Sequence, residues 1–158
     1  MALDDENPTR QVLGAIAGGV AGMAAMSIAF ALLEVETRYE VGIFAGIARF
    51  VMMPGNLTLG FLVFVLFGAV VWPVLFVLAE EYVPGGPDPG RRGLAFATLL
   101  WVLFMLTGVG DVTGATLLIY ASLTLVGHLA YGFILGAVYG HVRPDFSLAE
   151  VREARNPR

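Results

Sequence analysis

Four stretches of this chain carry no charged residue, and each is long enough to cross a bilayer as a helix. They are Gln11–Leu33 (23 residues), Phe50–Ala79 (30), Gly93–Gly110 (18) and Val112–Val142 (31). A hydrocarbon core takes roughly 20 apolar residues of helix. The four stretches together hold 102 of 158 residues, which leaves almost no mass for a water-soluble domain. Charged residues make up 14% of the chain, against about 25% in soluble domains. A soluble enzyme, a nucleic-acid binder and a disordered chain are thereby excluded. Lipid offers no partner for backbone polar groups, so a chain of this kind must satisfy them inside its own helices. The fold expected is all-α: a four-span transmembrane helix bundle in a cell membrane.

The segments between these stretches set the boundaries. Residues 1–11 form an acidic N-terminus, and residues 12–141 the membrane domain, with spans at about 12–33, 57–79, 93–110 and 115–141. Residues 142–158 form a tail. Asp4, Asp5 and Glu6 stand where a signal peptide carries positive charge, so the first apolar stretch reads as a retained helix. Between spans two and three, residues 82–90 hold three prolines and three glycines and cannot be helical throughout. In the tail, Ser147 and Glu150 form a capping box, with Phe146 and Val151 as its hydrophobic staple, so a short helix is expected from Leu148 to about Arg155.

Every basic residue is arginine, and their distribution sets the orientation. Arg10, Arg91, Arg92, Arg143, Arg152, Arg155 and Arg158 fall on one side of a four-span protein, and only Arg38 and Arg49 on the other. Both termini are therefore expected in the cytoplasm. The connection between spans one and two has its own pattern. Residues 41–53 are apolar except for Arg49 and end at Pro54-Gly55, too short to span but suited to an interfacial or re-entrant helix. Arg49 belongs near headgroups or beside Glu34, Glu36 or Glu40, because a guanidinium at mid-bilayer costs about 2.5–3.5 kcal/mol on insertion scales.

Glycine spacing is the strongest local pattern. Gly14, Gly18 and Gly22 in span one, and Gly132, Gly136 and Gly140 in span four, recur every four residues. That step keeps small residues on one helix face, where backbones can approach closely. The two rows suggest that spans one and four pack on each other within the chain, the alternative being that one of them pairs across an oligomer. In span two, Pro73 removes a helical hydrogen bond and predicts a kink. Trp72 and Trp101 fall at similar depth and are placed to stack.

His128, near the centre of span four, is the only residue in the spans' interior able to titrate near neutral pH, which makes it the default functional candidate. Thr124 and Tyr131 share its helix face. This strip can serve as interhelical hydrogen-bonding glue, as a proton path or as a polar ligand site. Two histidines also raise the question of haem. His141 follows His128 by 13 residues, a rise of about 20 Å and a rotation of about 220°, so one iron cannot take both within a chain. No cofactor and no metal is expected. The absence of cysteine removes thiolate chemistry, and no serine has a recognisable base partner. Glu80, Glu81 and Asp88, beside Arg91 and Arg92, read as a solvated helix end.

The segment Gly127-His128-Leu129-Ala130-Tyr131-Gly132 with Gly136 and Tyr139-Gly140, the glycine-rich first helix, and Arg92-Gly93 followed by Trp101 together carry a resemblance. Over residues 11–141 the chain resembles an uncharacterised family of small four-helix integral membrane proteins common in haloarchaea. That family has no established activity, and some haloarchaeal members carry labels linking them to terminal oxidases. Members often have a histidine early in span two; the corresponding residues 60–68 here contain none. The function expected is non-enzymatic: a structural or accessory subunit of a membrane assembly, possible contexts including a respiratory one, with lipid, other membrane subunits or further copies of itself as partners and no nucleic acid. The alternatives are a small oligomeric permease, proton path or channel using the His128 face, and a haem-bearing redox subunit that needs a partner's ligand.

Overall fold

The computed structural model describes residues 8–37, 42–109 and 112–142. Among these the chain is all-α. It forms α1 (Pro8–Thr37), α2 (Ile43–Phe50), α3 (Leu57–Ala79), α4 (Pro89–Gly108) and α5 (Gly114–Val142). The acidic residues 1–7, Glu40 and the tail helix expected after Ser147 lie outside the described residues.

Local chemistry explains the helix ends. The Asn56 side chain accepts from the Leu59 N–H at 3.0 Å and opens α3. Asp88 accepts from the N–H groups of Gly90 and Arg91 at 2.8 and 3.3 Å, with Pro89 directly behind it, so α4 starts one turn before the apolar stretch at residue 93. Over the described residues 42–53 the helix runs from Ile43 to Phe50, and Met52 takes a left-handed φ of 61° that no α-helix continues through.

Three of the five helices are long and apolar enough to cross a membrane: α1 over Thr9–Leu32, α3 over Leu57–Ala79 and α5 over Gly114–Val142. The fourth long helix, α4, has Arg91 and Arg92 in its first turn, which shortens its apolar part. The outward faces of all four long helices are apolar. Leu13, Val20 and Ile28 on α1, Leu62 and Leu66 on α3, Leu99 and Leu106 on α4, and Leu118 and Val126 on α5 are all exposed.

The long helices stand in the order α3, α1, α5, α4, so that α5 is flanked by α1 and α4 while α3 and α4 leave a gap between them. Helix α2 packs on α3 and also touches α4, bridging that gap. Gly14 lies against Val142 and Gly22 against Tyr131, so α1 and α5 run antiparallel. Gly140 lies against Pro89, which brings the N-terminal part of α1, the start of α4 and the end of α5 to one end of the bundle.

Spans one and four pack on each other as expected, but only the first glycine row lies in that contact. Gly14, Gly18 and Gly22 do face α5; a Cβ on Gly18 would stand 2.8 Å from the Leu135 carbonyl oxygen, and one on Gly22 2.7 Å from that of Tyr131. Gly132, Gly136 and Gly140 face α4 instead. A Cβ on Gly132 would strike the Gly93 carbonyl and Ala97, one on Gly136 the Pro89 carbonyl, and one on Gly140 the Pro89 ring. A GxxxG row specifies close approach and leaves the partner open, and here the partner is the helix that carries a glycine of its own at position 93.

Gly93 and Gly132 form the tightest crossing, each backbone occupying the space the other's side chain would need. Gly93→Ala and Gly132→Ala should each destabilise the bundle by about 1–3 kcal/mol through overpacking. Unfolding in mild detergent checks this, with the exposed Ser122→Ala expected to stay within about 0.5 kcal/mol of wild type.

Candidate functional site

The disruption that Pro73 introduces into α3 takes the form of a π-helical turn, Phe67–Val71, immediately before Trp72-Pro73. Its consequence falls on one carbonyl. The Trp72 N–H, which an α-helix would direct to Gly68 O, goes to Phe67 O. The next donor along, residue 73, is a proline and has none. Gly68 O is thus stripped of its helical donors, and the hydroxyl of Tyr131 supplies a substitute from α5 at 2.7 Å. Gly19 of α1 closes on the same turn, where a Cβ would collide with Pro73 and crowd the Gly68 carbonyl. Buried Tyr131 therefore ties α5 to the one irregular turn of α3.

Thr124 is equally committed. It is 1% exposed, donates to Tyr120 O at 2.7 Å, and accepts from the Trp101 indole N–H at 3.2 Å. The same N–H reaches Ala121 O at 3.2 Å, so Trp101 fastens α4 to α5 and does not stack on Trp72. Trp72 packs edge-on against Phe67, with ring centroids 5.1 Å apart.

His128 differs from both. Its Nδ1 lies 2.7 Å from Thr124 O; a carbonyl only accepts, so the neutral ring carries its proton on Nδ1 and its lone pair on Nε2. The ring lies against Phe104 at 5.4 Å, tilted by 38°. His128, Thr124 and Tyr131 all line one cavity of about 170 Å³ in the gap between α3 and α4. Its other walls are Met23, Met26 and Phe30 of α1, residues of α2 including Gly46, Phe64 and Trp72 of α3, and Leu100 and Phe104 of α4. The strip read from the sequence is thus one wall of a cavity that every helix helps to enclose, and α2 forms part of that enclosure.

At the opposite end of the gap, Phe76 fills the space, 5.4 Å from the Phe96 ring and 5.6 Å from that of Tyr139. Beyond it the Tyr139 hydroxyl donates to Glu80 Oε1 at 3.1 Å, and Arg92, which also donates to Gly86 O at 2.7 Å, approaches Glu80 Oε2 at 4.0 Å. Glu80 is only 5% exposed. The solvated helix end expected of Glu80 is therefore a buried carboxylate; Glu81 and Asp88 are exposed. No local pattern distinguishes Glu80 from Glu81, because its partners come from α4 and α5.

The remaining candidates lie apart from the cavity. His141 is exposed, with Nδ1 2.7 Å from Ala137 O. Arg49 is exposed on the last turn of α2, while the side chains of Glu34 and Glu36, and all of Glu40, lie outside the described residues. Among the described residues no group of three His, Asp or Glu side chains is placed to hold a metal.

A family model matches residues 9–148, nearly the whole chain. The chain belongs to DUF6789, a family of unknown function. No curated protein and no solved structure matches it. The match takes in all four long helices and both glycine rows, as well as the residues of the cavity.

The pairing of Tyr131 with Gly68 has a specific genetic signature. Tyr131→Phe should destabilise the bundle by about 1–3 kcal/mol, the cost of an unpaired buried carbonyl. Pro73→Ala restores an N–H within reach of Gly68 O, so Tyr131→Phe should cost clearly less in that background. A double-mutant cycle of unfolding in detergent measures the difference.

Proposed function

We propose that this DUF6789 chain is a four-span integral membrane protein with both termini and the loop after α3 in the cytoplasm, acting without catalysis as a structural or accessory subunit of a larger membrane assembly. In this reading α4 is the third span, its two arginines at the cytoplasmic face, and α2 is an interfacial helix on the opposite side. The distribution of arginine supports the orientation. The apolar outward faces of all four long helices support immersion in lipid or contact with other membrane subunits, including further copies of the chain.

The observation that carries the non-enzymatic reading is the commitment of Thr124, Trp101 and Tyr131 to helix–helix hydrogen bonds. Thr124 and Trp101 bond each other and α5 backbone, and Tyr131 bonds Gly68 O. They hold helices together. A proton path or channel needs a relay of polar groups from one side to the other, and below Tyr131 the gap is filled by the rings of Phe76, Phe96 and Tyr139. This favours the accessory role over the permease. A haem-bearing role would need a ligand from a partner, since His128 and His141 stand at different levels of α5.

The chain has no cysteine, so single cysteines report topology cleanly. Met53→Cys should react with a membrane-impermeant maleimide on intact cells. Asp5→Cys and Tyr82→Cys should react only after permeabilisation. Positions 5 and 82 reacting from opposite sides, or 53 and 82 from the same side, would contradict the four-span arrangement. A tagged copy extracted in mild detergent should bring down other membrane polypeptides in fixed ratio; isolation as a stable homo-oligomer alone would contradict the accessory role.

A further inference from the structure

We propose that the cavity beside His128 is a binding site for a lipid-soluble molecule with a single hydroxylated aromatic ring, a phenol or hydroquinol headgroup, whose hydroxyl donates to Nε2 of His128. Size is the first argument. An apolar cavity of about 150 Å³ stays dry and accepts benzene; this one measures about 170 Å³, room for one ring and a small polar substituent. Wall chemistry is the second. Phe30, Phe64, Trp72 and Phe104 offer ring contacts, and Met23 and Met26 polarisable sulfur.

Polarity narrows the class further. The Nδ1–H of His128 is directed to Thr124 O, so Nε2 presents a lone pair, and no hydrogen bond to it is found among the described residues. Thr124 and Tyr131 on the wall have their protons engaged, on Tyr120 O and Gly68 O. At His128 the cavity therefore offers an acceptor. That nitrogen favours a ligand that brings an O–H, since a carbonyl oxygen facing it would set lone pair against lone pair. Access is the last argument. Phe50 of α2 and Leu103 of α4 line the cavity and are also about half exposed on the apolar exterior, so the way in lies between α2 and α4, from the lipid side. Only this route depends on the membrane reading; binding itself does not.

The two tryptophans make the test direct. Trp72 lines the cavity and Trp101 does not. Protein in mild-detergent micelles is titrated with 4-bromophenol and with 4-bromotoluene, which quench indole fluorescence, each corrected for partition into the micelle. Saturable quenching is expected for the phenol at roughly tenfold lower concentration than for the toluene, the scale of one hydrogen bond. It should vanish in Trp72→Phe, and Gly46→Leu, which fills the cavity from α2, should abolish it. His128→Leu should equalise the two probes, and His128→Gln, which keeps an acceptor, should retain the preference. Equal affinities in wild type, a preference that survives His128→Leu, or quenching that never saturates would overturn the proposal. If circular dichroism shows His128→Leu unfolded, the wild-type comparison together with Gly46→Leu decides it. Orientation has no influence on a micelle titration, so failure here and failure of the labelling experiment are separable.

Discussion

Close backbone contact at glycine holds this bundle together. Inside lipid, apolar side chains gain nothing by leaving one apolar environment for another, so helices associate through dispersion contacts and hydrogen bonds that require near approach. Helix α5 meets that requirement on two sides. Its carbonyls at Tyr131 and Leu135 receive Gly22 and Gly18 of α1, and its own Gly132 and Gly136 receive the backbone of α4 at Gly93 and Pro89. With α1 and α4 both drawn onto α5, and α3 held on the far face of α1, α3 and α4 stay apart beside His128 and meet through Phe76 and Phe96 at the other end. The cavity beside His128 follows from that arrangement, and α2 occupies the opening it leaves.

The irregular turn in α3 links this packing to the polar chemistry. A π-helical turn followed by proline leaves Gly68 O without a helical donor, which in an apolar medium carries a substantial penalty. Tyr131 relieves it from α5, and Gly19 allows α1 to close over the same turn. The three polar residues on one face of α5 thus have different duties. Thr124 and Tyr131 join helices, and His128 lines the cavity with its Nδ1 bonded to Thr124 O and no hydrogen bond to Nε2 among the described residues.

Much of this was legible in the sequence, and the reasons for the rest are physical. Charge-free length reveals long apolar helices because the bilayer imposes a minimum, and three helices meet it; α4 is less plain because two arginines open it. A four-residue glycine step reveals close approach because it reports a property of one helix alone. Which helix answers Gly132 depends on Gly93, 39 residues away, and no single-helix pattern contains that. Glu80 and Glu81 look alike locally, yet only Glu80 meets Tyr139 and Arg92. Pro73 announces a break in α3, but the π-helical form of that break answers to Tyr131 on another helix. The face shared by Thr124, His128 and Tyr131 is visible from spacing, whereas the cavity it borders arises from a gap between α3 and α4, and gaps leave no mark on either sequence.

The most direct measurement of whether α1 and α5 meet in this way within one chain is disulfide trapping. A Cβ on Gly14 would stand 2.8 Å from that of Val142, so cysteines placed at both positions lie within reach of a bond once the helices adjust slightly. Mild oxidation of Gly14→Cys/Val142→Cys in native membranes should give an intramolecular link in most of the population, seen as a monomer of altered mobility that reverts on reduction. Failure to link, or linkage only between separate chains, would contradict the packing of α1 on α5 and with it the position of the cavity.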